Sequence, residues 1–193
     1  IETGGYVNGT PAIVDDKVIS VGCDGVLRLV ALKDGTLLGS IEIGAYVAAS
    51  PAIRDGVAYF GTYENQVLAV SLAGEWRWTY EHPKRRFPFY SSAAITKEVL
   101  VVGGRDKMVH GIDLATGSSL WTHTSGARVD SSPVIVGDRA FVGGGSGDLV
   151  ALDVQSGAIL WQFETGSSIV ASPSLASGRL VIGTEDGDLY CFG

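Results

Sequence analysis

Six basic side chains are best suited, by type and spacing, to holding a ligand. Lys84, Arg85 and Arg86 form a triplet, Arg105 and Lys107 lie two apart, and Arg128 follows. Phe87, Phe89 and Tyr90 stand directly after the triplet. Arginine donates in a planar fork and aromatic rings anchor, so the set suits a carboxylate, a phosphate or an acidic peptide. These are six of 14 basic residues in a chain of net charge −7. Glu81, Asp106 and Asp130 would neutralise part of the field. The plain alternative is a solvated loop with scattered charge.

Other chemistry-bearing residues point nowhere. The glycines of Gly143-Gly144-Gly145-Ser146-Gly147 resemble a phosphate loop, yet a strand follows them, leaving no helix N-terminus for an anion. Ser146 lacks the second glycine of a nucleophile elbow. His82, His110 and His123 are too far apart for a zinc motif. Cys23 and Cys191 make no disulfide framework, and Cys191 reads as a small buried hydrophobe. The acidic turns, Glu185-Asp186-Gly187-Asp188 among them, are turn chemistry without a calcium loop's ligand spacing. Neither a metal nor a catalytic group is expected. Asn8-Gly9-Thr10 is a nominal glycosylation sequon with little weight, because Pro11 follows at once.

The elements that must carry the basic residues are strands. Residues 132–166 break into four short apolar runs separated by Gly, Asp and Ser turns. None carries a 3.6-residue stripe, so each unit is an antiparallel meander of four strands. The meander recurs. Thr10-Pro11, Ser50-Pro51, Ser92-Ala93, Ser132-Pro133 and Ser172-Pro173 open successive copies at offsets of 40, 42, 40 and 40 residues. We align Gly22, Gly61, Gly103, Gly143 and Gly183 at the end of the second strand, and Ala31, Ala69, Gly111, Ala151 and Cys191 on the third. Trp78, Trp121 and Trp161 share a place on the fourth, where Gly39 is the exception.

A period of about 40 residues with four strands each predicts an all-β fold, a β-propeller of four-stranded blades. One meander cannot bury both faces; stacking blade on blade does so. The expected repeats are 5–44, 45–82, 83–126, 127–166 and 167–193 of a single domain, four complete and the fifth partial. Residues 1–4 align with Phe163–Gly166, as the end of a fourth strand. With no Met or signal peptide at its start, the chain is expected to begin at a mature, trimmed or excised terminus. The count favours the C-terminal part of a larger propeller over a closed five-bladed ring, with open edges that self-associate.

Composition agrees. A 46% hydrophobic, 18% charged chain with 27 glycines suits a folded protein rich in turns. No apolar run approaches the ~20 residues of a membrane-spanning helix. The acidic balance argues against nucleic acid.

GIDLATGSSLW (111–121) and ALDVQSGAILW (151–161) carry the pattern A-x-D-x-x-T/S-G-x-x-x-W, with Gly for Ala in the first, and SSPVI or ASPSL follows. The pattern is worn in ALKDGTLLG and AVSLAGEWRW. It resembles the repeat of pyrroloquinoline-quinone-type propellers, which include quinoprotein dehydrogenases and a lipoprotein of outer-membrane assembly. The resemblance implies a bacterial protein, a periplasmic or extracellular location, and a Trp packed between blades. It does not imply bound quinone.

Propeller topology places the loops after second strands and the connections between blades on one face. That would gather Lys84, Arg85, Arg86, Arg105, Lys107 and Arg128 there, with Asn8, Tyr90 and Asp130 lining the mouth of the ring. The expected function is a non-catalytic scaffold that binds a protein or peptide, acidic by preference. One alternative is part of a quinone-dependent dehydrogenase, with quinone and calcium held only if further blades complete a site. No vicinal cysteine pair supports it. Another is the sensor domain of a larger protein.

Overall fold

The computed structural model describes residues Ile1–Gly193, and the chain is all-β, without a helix. It packs as two compact units, Ile1–Ala93 and Ala94–Gly193. The first unit holds two sheets: β1 (Ala12–Val14), β2 (Lys17–Val21), β3 (Val26–Ala31) and β4 (Leu37–Glu42), then β5 (Ala52–Arg54), β6 (Val57–Gly61), β7 (Gln66–Ser71) and β8 (Trp76–Glu81). The second unit holds three. Its third sheet is β9 (Ala94–Ile95), β10 (Val99–Gly103), β11 (Met108–Asp113) and β12 (Ser119–Thr124). The fourth is β13 (Val134–Val136), β14 (Arg139–Gly143), β15 (Asp148–Asp153) and β16 (Ile159–Glu164). The fifth has only β17 (Ser174–Ala176), β18 (Arg179–Gly183) and β19 (Leu189–Phe192). Every neighbouring pair is antiparallel and consecutive in the chain.

Sheets stack on their flat faces. In the first unit Ile19, Val21 and Leu27 meet Ala58, Phe60, Leu68 and Val70 in one buried cluster. In the second, Val99, Val101, Val109 and Trp121 meet Ala140, Val142, Val150 and Leu152. Inner strands such as β7 and β10 are covered on both faces, which is why they read as unbroken apolar runs.

The repeat's polar residues stitch it together. The Asp113 carboxylate accepts from the Ala115 and Thr116 amides and from the Thr116 hydroxyl, and Asp153 accepts from the Ser156 amide and hydroxyl. These are Asp-capped turns. The Thr116 and Ser156 hydroxyls, then the amides, hold both carboxyls below the usual carboxylate range. The serine that opens each repeat works one repeat back. The Ser50 hydroxyl accepts from the Thr10 amide at 2.8 Å, Ser92 from Ser50 at 2.9 Å, and Ser172 from Ser132 at 3.0 Å.

Register corrects the sequence alignment in the first sheet. Val21 pairs with Leu27 as Gly61 pairs with Val67, so Val21, not Gly22, holds the strand-end place. Likewise Leu29, not Ala31, holds the place on the third strand, facing Gly39. Ala69, Gly111 and Ala151 face Trp78, Trp121 and Trp161. The pair is small against large in three sheets and large against small in the first, so the cross-strand volume is shared out in reverse. A register shift interrupts the third-to-fourth strand pairing just past this residue in all four complete sheets. Residues 1–4 form no strand.

Candidate binding face

Each turn between the second and third strands is clipped to the connections between sheets by backbone hydrogen bonds. The carbonyls of Gly22, Thr62, Gly104 and Gly144 accept from the amides of Val47, Phe89, Val129 and Ile169 at 3.0–3.3 Å. The amides of Cys23, Tyr63, Gly145 and Glu185 donate to the carbonyls of Tyr6, Tyr46, Arg128 and Ser168 at 2.7–3.0 Å. Turns and connections therefore form one loop face within each unit.

Val47, Phe89, Val129 and Ile169 are buried plugs in these clips. The glycines at the ends of β6, β10 and β14 make room for them: a Cβ on Gly61, Gly103 or Gly143 would fall within 2.2–2.4 Å of Phe89, Val129 or Ile169. Phe89, expected as a surface anchor, is thus a core residue whose ring also meets Tyr80. Its place in the repeat could have shown this, since Val47, Val129 and Ile169 are all apolar there.

What the loop face displays differs between units. In the first it is aromatic. Tyr6 is 82% exposed and Tyr46 59%, Phe87 is half-exposed, and the Tyr63 and Tyr90 rings lie 4.6 Å apart. Lys84, Arg85 and Arg86 are exposed beside them in the chain. Asn8 donates weakly to the Cys23 sulfur at 3.5 Å. Sequence reasoning missed Tyr6, Tyr46 and Tyr63. The signal was there: Tyr6 and Tyr46 each stand four residues ahead of Thr10 and Ser50, one repeat apart.

In the second unit the face is ionic. Arg105 grips Asp130 with two nitrogens at 2.8 and 2.9 Å, and Arg128 reaches the same carboxylate at 3.2 Å. The structure therefore brings Arg105, Arg128 and Asp130 together as one ion cluster. Lys107 stands exposed at its turn with φ +72°. Asp106 is buried against His110, with Nε2–Oδ1 3.2 Å.

Cys191 corrects a further expectation, because it is exposed and not a buried filler. No fourth strand covers β19.

A quinone with calcium would need a free carboxylate base, metal-binding oxygens and an open tryptophan face. Asp130 is committed to two arginines, and no group of three His, Cys, Asp or Glu side chains gathers as a metal site. Trp121 is covered by a turn of the next sheet, and the exposed rings of Trp76 and Trp161 stand beside no such metal group. These residues do not fit the group. No helix is long and apolar enough to cross a membrane.

Successive four-stranded antiparallel meanders on a 40-residue period define the β-propeller class. Among solved structures, BamB from Moraxella catarrhalis superposes on the whole chain with a TM-score of 0.83, at 18% identity and covering 60% of that chain. The computationally designed Ika8 protein superposes on 94% of this chain and 57% of its own with a TM-score of 0.79, at 16% identity. The family model described as outer membrane protein assembly factor BamB matches residues 2–192, and the chain belongs to that family. Curated relatives bearing that name, from Legionella pneumophila (strain Paris) and Xanthomonas campestris pv. campestris, are 28% and 29% identical over 143 and 144 residues. Each alignment takes in 67% of this chain but only 36% and 34% of the relative.

Proposed function

We propose that the chain is a non-catalytic scaffold that presents its loop face to a protein partner, in the periplasmic service of outer-membrane protein assembly. One observation carries the reading: a repeat whose interior is built mainly from apolar side chains nevertheless displays Tyr6, Tyr46 and Phe87 on its loops. Tyrosine is enriched at protein interfaces because it offers a large rigid contact and a polar tip. The family's name supplies the setting. Lys84, Arg85 and Arg86 follow β8 directly, and they favour an acidic segment on the partner. The unpaired edge of β19 is the place for association with further strands.

Photo-crosslinking residues placed at positions 46 and 87 test it, with position 35, in the turn between β3 and β4, as control. The reading expects adducts with a defined envelope protein from 46 and 87 alone, weakened when Lys84, Arg85 and Arg86 are all replaced by Ala. Adducts of equal yield from position 35, or none from 46 and 87, would contradict it.

A further inference from the structure

The third and fourth sheets are both complete and pack on each other, yet a cleft of about 230 Å³ opens between them at their outer strands. His123 lines it from β12, and Asp148, Val150, Ile159 and Gln162 line it from β15 and β16. The first unit has the same two places. Ile41 faces Leu27 as His123 faces Val109, and Gln66 faces Glu81 as Asp148 faces Glu164. There the isoleucine simply packs against the apolar cluster. An aliphatic side chain therefore suffices where packing alone is needed, and the second unit has a histidine and a carboxylate in its stead.

Acceptors outnumber donors in this cleft. Gln162 Nε2 donates to Asp148 Oδ1 at 2.9 Å, which leaves the Gln162 amide oxygen to accept. The Ser146 hydroxyl lies 2.7 Å from Asp148 Oδ2 and 2.9 Å from the Ser125 carbonyl, with one proton for the two. Both oxygens of Asp148 thus meet neutral donors, and each keeps a lone pair. Burial holds the His123 imidazole below its ordinary value, against the pull of Asp148, so at neutral pH one ring nitrogen also accepts. Val150 and Ile159 supply an apolar wall.

A fitting ligand brings donors, no acceptor, one positive charge and an apolar stem. An alkylammonium group has that make-up, with three donors and a compact charge at the end of a methylene chain. The cleft is smaller than the roughly 300–1,000 Å³ of a drug-sized pocket and so has room for about one side chain. We propose that it receives a lysine side chain of a partner protein, with the ammonium on Asp148, Gln162 and His123 and the stem along Val150 and Ile159. The site lies in the second unit and does not rest on the tyrosine face of the first, so either can fail alone.

The test uses the whole chain and Nα-acetyl-lysine methylamide, followed by NMR at the His123 ring with His82 as the internal reference. The expected result is a saturable His123 shift in the millimolar range, with His82 unmoved. The norleucine analogue keeps the stem without the charge and binds about tenfold more weakly. Asp148→Asn keeps the shape and removes the charge, and it weakens the lysine probe by a similar factor. His123→Ile, which copies Ile41, removes the response of the Gln162 side-chain amide. Should either variant disturb the fold, the lysine and norleucine probes on the unaltered chain decide alone. Equal affinity for those two probes, or no His123 shift with lysine, would overturn the proposal. A His123 shift with zinc but not with lysine would give the cleft to a metal ion. Putrescine binding about tenfold more tightly than the lysine probe would give it to a free diamine and contradict a protein side chain.

Discussion

Trp121 and Trp161 are one residue of the repeat seen twice, and they differ in what lies above them. Trp121 is 9% exposed, with its N–H satisfied by Val154 and its ring against Gly157. Trp161 has the same strand place and register, with Ala151 facing it where Gly111 faces Trp121, yet it is 37% exposed. The difference teaches that a sheet of this repeat does not complete its own core. Trp121 is finished by the next sheet's turn, so its burial is supplied by a neighbouring sheet.

The contrast can be broken in stages. Trp121→Ala should have the largest effect, about 3–5 kcal/mol of stability in urea titration, since it empties a closed site. Trp161→Ala should cost about 1 kcal/mol or less, because its ring is already partly hydrated. Equal losses would remove the distinction. Gly157→Val should cost about 2–4 kcal/mol, combining a collision with the Trp121 ring and a φ of +71°. Val at Gly187, which has φ +94° but open space, should cost only the strain, about 1–2 kcal/mol. Ser50→Ala should cost about 1 kcal/mol, because the Thr10 amide loses its acceptor.

The smallest effect is one of pH. Burial holds the His123 imidazole below its ordinary value of 6.5, against an opposing pull from Asp148. The unfolded chain then binds the proton more readily than the folded one. Stability should be full above about pH 6.5 and should decline as pH falls from there towards the lowered folded value. His123→Gln should flatten that part of a stability-against-pH curve; an unchanged slope would show that His123 is not its source.

Much of this was legible in the sequence, and the reasons are specific. The 40-residue period announced the sheets because Pro, Gly and Asp recur at fixed offsets, and the apolar runs between them are too short for helices. The first repeat misled. Its third strand reverses the large and small partners, Leu29 against Gly39, so the small residues Gly22 and Ala31 lie one and two places past the true register. Phe89 was misplaced because it sits among charged and aromatic loop residues, and only the clip to Thr62 reveals it as a plug. Cys191 was expected inside because its strand place is inside wherever a fourth strand follows. Exposure there depends on a neighbour that residue type cannot signal. Arg105, Arg128 and Asp130 were each singled out, but that two arginines share one carboxylate is a matter of geometry across 25 residues of chain.

Hydrogen exchange of the third strands tests the central claim most directly. Residues 149–152 of β15 are bonded on both sides and lie under a completed sheet, while residues 189–192 of β19 have one open edge. The account predicts that amides of 189–192 exchange at least about a hundredfold faster than those of 149–152. Equal protection of the two segments in the free chain would contradict it.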